Sequence, residues 1–479
     1  MIRMSIAELA RATGATVLVE GARDVEGEVV IDSREAGPGR LFVAFAGERV
    51  DGNAYLAPAA RAGAAAVVAT AEVPAETLEA ARAAGCAVLR AAADDGEEFM
   101  LRLAGAWRAL HPDWLVLAVT GSVGKTTTKE MLAAGAGATR RCHATRGNFN
   151  NLIGLPLTVL SAPEDAEVLV CELGMNHLHE IERMSRACRP ALAAITNVGT
   201  SHIGILGSRE NIARAKAEVV SGLEAHDGLG PALALASSGD FTPFIAERFC
   251  APAGVEVLPV GTGEKDLVRA EGVTLDACGR ARLTVSCADG WSREVHLSLP
   301  GAKIVDDLLL ALALLWRAGL DRDAAVEAIE RMEATSMRLD VREAASGARV
   351  IDDSYNAAPA SMASSLDVLC SMDCAGRRIA VLGEMGELGD EAARLHGYVG
   401  AYAAAKGVDL LVLIGGGLAG EMAEAARTMG LSEDAIESFP TVDDALRVIG
   451  PVLSAGDLVL VKASRAAGLD TFAKGVLAL

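Results

Sequence analysis

The stretch LVLAVTGSVGKTTTKEML, from Leu115 to Leu132, concentrates the chemistry of this chain. An apolar strand is expected to end at Thr120, a turn Gly121-Ser122-Val123-Gly124 follows, and Lys125 and Thr126 open a helix. Such a turn aims backbone N–H groups at an anion, and the helix N-terminus adds positive potential. Lys125 supplies a point charge, and Thr126 can offer a hydroxyl to Mg²⁺. Gly121, Ser122, Gly124, Lys125, Thr126 and Thr127 are therefore the candidate nucleotide-binding residues. A strict phosphate-loop pattern would have glycine at Val119, so the match is to its second half. The competing reading is an ordinary glycine turn before a lysine; the preceding strand and following helix weigh against it.

Three further side chains stand where strands or helices would present them. VLVCEL delivers Glu172 at the end of an apolar strand, where a carboxylate suits a metal that bridges phosphates. ITNVGTSH places His202 just after another strand, where imidazole could ligate a metal. Taken singly, a solvated acid and a structural histidine explain these as well. On the helix expected from Ser208, Ile212, Lys216, Val219 and Val220 share one stripe, so Lys216 points toward the apolar side. A buried lysine needs a partner, a shifted pKa or a modification, unless its stem snorkels outward.

The elements that must position these groups fall into three α/β blocks. Residues 1–113 alternate short apolar runs with alanine-rich helical stretches and end at His111-Pro112-Asp113. Residues 114–333 read as a parallel sheet whose strand ends carry chemistry, followed by a more β-like stretch (VRAEGVTL, RLTVSC, EVHLSLP) and an apolar helix from Val305 to Ala318. Residues 334–479 repeat the α/β rhythm with RVIDDSYN, RIAVLGEM, LLVLIGGG and DLVLVKAS. With 51% hydrophobic and 23% charged residues, the 479-residue chain can build several packed cores. Its 44 Lys and Arg against 64 Asp and Glu give a net charge of −20, which opposes nucleic-acid binding. The nine cysteines are scattered without a C-x-x-C pair, and the opening residues lack the apolar core of a signal peptide. No run reaches about 18 apolar residues. A cytoplasmic protein without membrane insertion is expected.

In their order along the chain, these segments resemble the Mur ligase family. IDSREAGPGRLFVAFAGERVDGNAYL is similar to the family's uridine-nucleotide segment and TGSVGKTTTKEML to its ATP loop. GNFNNLIGLP, ELGMNHLHEI and ITNVGTSHIGILGSRENIARAKAE are similar to its substrate, metal and lysine segments, and DDSYNAAPASM, LGEMGELG and LVKASRAAG to its C-terminal motifs. Within the family the likeness is greatest to the member that joins D-alanyl-D-alanine to a UDP-muramoyl tripeptide. The resemblance implies three α/β domains, with a central phosphate-loop parallel-sheet ATPase domain and a Rossmann-like C-terminal domain that carries the incoming amine. It implies ATP and two Mg²⁺ ions, the first at Thr126 and Glu172, the second at His202 and a carbamylated Lys216. Lys125 would hold the β- and γ-phosphates. Ser33 and Arg34 would face the uridine diphosphate, and Asn148, Asn150 and Asn151 the muramoyl peptide. Arg338, Asp353, Tyr355, Asn356 and Lys462 would come from the closing domain, and the enzyme would act as a monomer on small molecules.

The pattern departs from the family in three segments. A GRHNxxNA-like run reads GAKIVDDLLLA here, placing Lys303, Ile304 and Asp307 where histidine and two asparagines are expected. An expected Asn-Ala-Asp step reads ASSGD around Ser237 and Ser238, and Met337 stands for the glycine before Arg338. Val123 and Ala358 replace two further asparagines. Base selectivity, ATP affinity and domain closure are the properties these changes touch. A sibling ligase using another amine, a non-catalytic nucleotide-binding paralogue and a plain phosphate-loop kinase or ATPase remain open alternatives; the DNPR-like motif of the diaminopimelate-adding sibling is absent from the sequence.

Overall fold

The computed structural model describes residues 1–47 and 50–478 and arranges them around three large sheets. Glu48 and Arg49, within the segment matched to uridine-nucleotide binding, lie outside the described residues. The first large sheet has five strands in the order Thr16–Val19, Ala87–Arg90, Ala66–Ala69, Leu41–Val43 and Val29–Val30. All pair in parallel except Thr16–Val19, which runs antiparallel along one edge. Ala66–Ala69 is buried along its whole length, as a run apolar on both faces requires.

The central sheet explains where the chemistry sits. Its nine strands run from Ser292–Pro300 at one edge through Arg280–Cys287, Val268–Leu275, Glu256–Gly261, Ala232–Ala236, Leu192–Ile195, Leu115–Thr120 and Val168–Glu172 to Cys142–Ala144. Pairing is parallel from Cys142–Ala144 as far as Val268–Leu275. The last two steps are antiparallel, so the β-like stretch of the sequence is a meander extending this same sheet. Strand Leu115–Thr120 lies between Val168–Glu172 and Leu192–Ile195, with Val119 opposite Glu172 and Thr120 opposite Ile195. Three strands therefore end at one level, the carboxyl edge where open α/β sheets place ligands.

The helices around it follow the sequence closely. Lys125–Gly137 begins at the predicted lysine, and Ile304–Arg317 is buried from Leu308 to Leu315, as a helix apolar all round must be. Helix Arg209–Ala217 starts from Ser208, whose hydroxyl accepts from Asn211 N at 3.2 Å. It stops at Ala217, and Val219 and Val220 sit on a 3₁₀ turn, Glu218–Gly222, so the stripe read as one helix is helix plus turn.

The last large sheet has six strands in the order Asp340–Glu343, Arg349–Asp352, Leu458–Lys462, Arg378–Gly383, Leu410–Ile414 and Ile436–Phe439. All but the first are parallel, with a buried layer on each face. The first core is continuous across two blocks: Ile2, Leu9, Phe99 and Trp107 share it with Trp114, Leu155, Met184 and Ile212. No helix among the described residues is long and apolar enough to cross a membrane.

Candidate active site

The phosphate loop is pinned from the neighbouring strand. Val123 O accepts from Thr196 Oγ1 at 2.5 Å and Asn197 Nδ2 at 2.9 Å, while Val123 N donates to Asn197 Oδ1 at 3.1 Å. Ser122 Oγ accepts from Gly199 N at 2.8 Å. Gly121 has φ 147°, and a Cβ there would lie 1.8 Å from Thr196 Oγ1, so this close approach admits only glycine. Thr196 and Asn197 follow strand Leu192–Ile195 and were not singled out in the sequence; their position after an apolar run was the available signal.

Lys125 Nζ folds back on the loop, donating to Gly121 O at 2.9 Å. Desolvation lowers its pKa, the Glu172 charge opposing and the Arg338 charge adding to that shift. Thr126 Oγ1 donates to Glu172 Oε2 at 3.0 Å, and Asn150 Nδ2 to Glu172 Oε1 at 2.7 Å. Glu172 is thus a fully buried carboxylate with both oxygens engaged. Lys216 is buried as expected, 2% exposed. Burial, with the Lys125 charge adding to it, pushes its pKa well below the usual lysine value, which favours the neutral amine.

A cavity of about 570 Å³ gathers most of the predicted set. Ser122, Gly124, Lys125, Thr126, Thr127, Asn148, Asn150, Glu172 and His202 line it from the central sheet, and Arg338, Asp353, Tyr355, Asn356 and Lys462 from the C-terminal one. Arg338 lies over the Tyr355 ring, 4.2 Å from its centroid, a cation–π pair at the border of the two. Lys462 Nζ pairs with Asp353 Oδ2 at 2.6 Å and donates to Asn356 O at 3.0 Å. With Lys462 only 3% exposed, this cation fixes the DDSYN turn.

Other predicted residues lie elsewhere. Asn151 Oδ1 accepts from Ile153 N and Gly154 N, at 3.2 and 2.8 Å, and so caps helix Gly154–Ser161. Arg34 is largely exposed and chelates Asp32, holding that carboxyl down to about 2; neither Ser33 nor Arg34 lines the cavity.

A second cavity of about 930 Å³ adjoins the first through Val123, Gly124, Lys303, Asp307 and Ser364. Asp307 accepts from Thr128 Oγ1 at 3.0 Å, and its Oδ1 would lie 2.3 Å from a Cβ on Gly124. Burial raises its pKa well above the usual carboxylate value. The far wall holds Arg394, Tyr398 and Tyr402 on helix Ala392–Ala405, at four-residue spacing. That spacing, in a chain with four tyrosines, was the signal that sequence reading passed over.

Thr126 and Glu172 fit a hard divalent cation such as Mg²⁺: both present oxygen at the phosphate loop. No three His, Cys, Asp or Glu side chains converge among the described residues, so water or phosphate must complete any such shell. His202 lines the cavity but Lys216 does not, and even as a neutral amine Lys216 offers a single nitrogen where a hard cation favours oxygen, so a second ion would fit here only with Lys216 carrying added oxygen ligands.

Models of the Mur ligase family match this chain in all three blocks: its catalytic domain at residues 27–101, its middle domain at 119–315 and its glutamate ligase domain at 337–465. The chain is 34% identical to the UDP-N-acetylmuramoyl-tripeptide–D-alanyl-D-alanine ligase of Bacillus subtilis, covering 99% of this chain and 97% of that protein. It is 33% identical to the ligase of the same name from Mycobacterium tuberculosis, covering 100% and 98%. A crystal structure of MurF from Acinetobacter baumannii superposes with a TM-score of 0.87 at 28% identity, covering 100% and 99%. With agreement in sequence and architecture along its whole length, the chain belongs to the Mur ligase family.

Proposed function

We propose that this Mur ligase uses ATP to join D-alanyl-D-alanine to UDP-N-acetylmuramoyl tripeptide, the reaction named for its relatives from Bacillus subtilis and Mycobacterium tuberculosis. The observation that carries the reading is the single cavity in which Lys125, Thr126 and Glu172 face Arg338, Asp353 and Asn356. The domains are residues 1–113 for the uridine nucleotide, 114–333 for ATP and 334–479 for the amine, in a monomeric cytoplasmic enzyme. Ser33 and Arg34 serve the first; Asn148, Asn150 and Asn151 border the peptide.

Lys125 and the loop N–H groups orient the triphosphate so that a tripeptide carboxylate oxygen attacks the γ-phosphorus, releasing ADP and forming an acyl phosphate. Thr126 and Glu172 would hold Mg²⁺, which when bound would supply neutralisation of the phosphate charge. The amine of D-alanyl-D-alanine then adds to the acyl carbon, loses a proton, and phosphate leaves as the amide forms. Arg338, Asp353, Tyr355, Asn356 and Lys462 shape the closing side and exclude water. The buried neutral amine of Lys216 is suited to carbamylation by CO₂, which would give the second ion oxygen ligands alongside His202.

The test is phosphate release with ATP, Mg²⁺ and UDP-muramoyl tripeptide, with and without D-alanyl-D-alanine, while mass spectrometry follows the pentapeptide. Pentapeptide formed in step with phosphate supports the reading. Turnover without the amine would favour a plain ATPase, turnover with a different amine a sibling ligase, and no turnover a non-catalytic paralogue.

A further inference from the structure

The loop GEMGELG and the turn after strand Leu192–Ile195 meet where the central and C-terminal sheets approach each other. Glu387 Oε2 lies 2.5 Å from His202 Nδ1, and Gly204 N donates to Glu387 O at 3.1 Å. The Nδ1 atom is buried and makes no well-directed hydrogen bond among the described residues, so the Glu387 carboxylate meets it at ion-pair distance and a small rotation of either side chain would align the two. Both backbones are constrained: His202 has φ 64° and Glu387 φ 61°, left-handed values that non-glycine residues adopt at a cost. Backbone packing beside them is tight. A Cβ on Gly204 would lie 2.4 Å from Gly389 N and 2.7 Å from Leu388 C, and one on Gly389 would lie 2.8 Å from Gly204 Cα. Ile203, next to the histidine, packs against the cores of both sheets.

We propose that Glu387 is a positioning residue for His202, reaching from the C-terminal domain to hold the Nδ1 side of the ring so that Nε2 serves the phosphate cavity. This rests on the reading of His202 as a metal ligand given above. A ligating histidine typically passes its other ring N–H to a carboxylate or carbonyl, which fixes tautomer and orientation. Here that carboxylate belongs to a different domain from the histidine. The second ion's site is then complete only when the C-terminal domain is docked, and metal affinity reports docking. The two strained residues and the glycine pair fit this role, because strain of this kind persists where the surrounding contacts enforce it.

The test uses the full-length protein with Mn²⁺ as the probe ion and a non-hydrolysable ATP analogue, measuring free Mn²⁺ by electron paramagnetic resonance. Five variants are compared: Glu387→Ala, Glu387→Gln, Gly204→Ala, His202→Ala and the double variant His202→Ala with Glu387→Ala. Glu387→Ala is expected to weaken the second Mn²⁺ about 10-fold or more. Glu387→Gln keeps an oxygen acceptor and should recover much of that loss. Gly204→Ala touches no ligand and should weaken Mn²⁺ comparably by prising the joint apart. In the His202→Ala background, adding Glu387→Ala should change nothing further. Wild-type Mn²⁺ affinity in both Glu387 variants, with His202→Ala impaired, overturns the proposal alone. Wild-type affinity in His202→Ala overturns the reading of His202 as a ligand, and the proposal with it. Should Glu387→Ala fail to fold, the isosteric Glu387→Gln carries the decision: its Mn²⁺ affinity should be intermediate between wild type and His202→Ala, and equality with wild type counts against Glu387.

Discussion

The two joints of this molecule are built from different materials. Between the N-terminal and central sheets, helix Gly96–Leu110 buries Phe99, Met100, Leu103 and Trp107 in a core that runs without a break into Leu155, Met184 and Ile212. Arg108, itself buried, crosses the same joint by donating to Cys188 O and Trp114 O at 3.2 and 3.1 Å. Between the central and C-terminal sheets, the cores on the C-terminal side draw in, among the described residues, only Ile203 from those before 337. The rest of that joint includes polar or glycine contacts: Glu387 with His202, Gly204 against Gly389, Asp373 N to Ala277 O at 2.9 Å, and Gly279 beside Met372. A large apolar joint resists rearrangement, whereas small polar ones shift with modest free energy. Of the two, the C-terminal joint is the one that can rearrange with the smaller loss of packing.

The strongest attack on this comparison is Trp107→Ala. Removing a fully buried tryptophan should cost about 3–5 kcal/mol, read by urea denaturation, and should destabilise the N-terminal and central blocks together. Two separated transitions, with only the first moved, would show that the shared core does not couple them. Lys125→Ala makes the opposite demand: unfolding changed by no more than about 1.5 kcal/mol, the scale of one lost hydrogen bond, but phosphate release reduced about 10²–10³-fold, roughly 3–4 kcal/mol of transition-state stabilisation. A stability loss as large as the activity loss would place Lys125 among the structural residues.

Sequence reading resolved the first of these regions and the phosphate loop better than the second joint, for a physical reason. Strand, turn and helix from Leu115 to Gly137 are local, so apolar runs and glycines specify them directly. The inward face of Lys216 was legible too, because helical periodicity is local. What brings Glu387 to His202, or Arg394 and Tyr398 to the far wall of the larger cavity, is contact between residues far apart in the chain. Their types alone suggest solvated side chains. Asn151 and Lys462 show the converse: motif membership suggested ligand binding for each, and the sequence did not reveal the local contact each also makes, Asn151 with Gly154 N and Lys462 with Asp353.

Asp307→Asn sharpens the comparison from the cleft between the two domains. The Asp307 carboxyl stands against Gly124, where phosphate charge must accumulate, and its folded pKa is raised chiefly by desolvation. Below that pKa the group is neutral; as pH rises through it, a negative charge appears and both stability and ATP affinity should fall. Asparagine removes that dependence. ATP affinity of the variant, measured by calorimetry, should exceed wild type by about five-fold (about 1 kcal/mol) at high pH and match it at low pH. Equal affinities at every pH would mean that Thr128 and solvent fully screen the charge.

The smallest effect expected is at the hinge between the two domains. Met337 stands where a glycine was expected and holds φ 61°, with Leu339 close behind at 52°. An L-residue in the left-handed region costs roughly 1–2 kcal/mol, and glycine would avoid this while losing about 0.5–1 kcal/mol through a freer unfolded chain. Met337→Gly should therefore raise stability by between about 0 and 1.5 kcal/mol in urea denaturation, with a mid-range gain of about 0.75 kcal/mol. The Met337 side chain contributes little to offset this, its one polar contact being Sδ to Arg465 Nη1 at 3.5 Å. Because the gain belongs to the polar joint, Trp107→Ala and Met337→Gly should be additive, as distant sites without shared partners are. Strong non-additivity would mean that the two joints communicate through the central sheet and that the C-terminal domain does not dock independently.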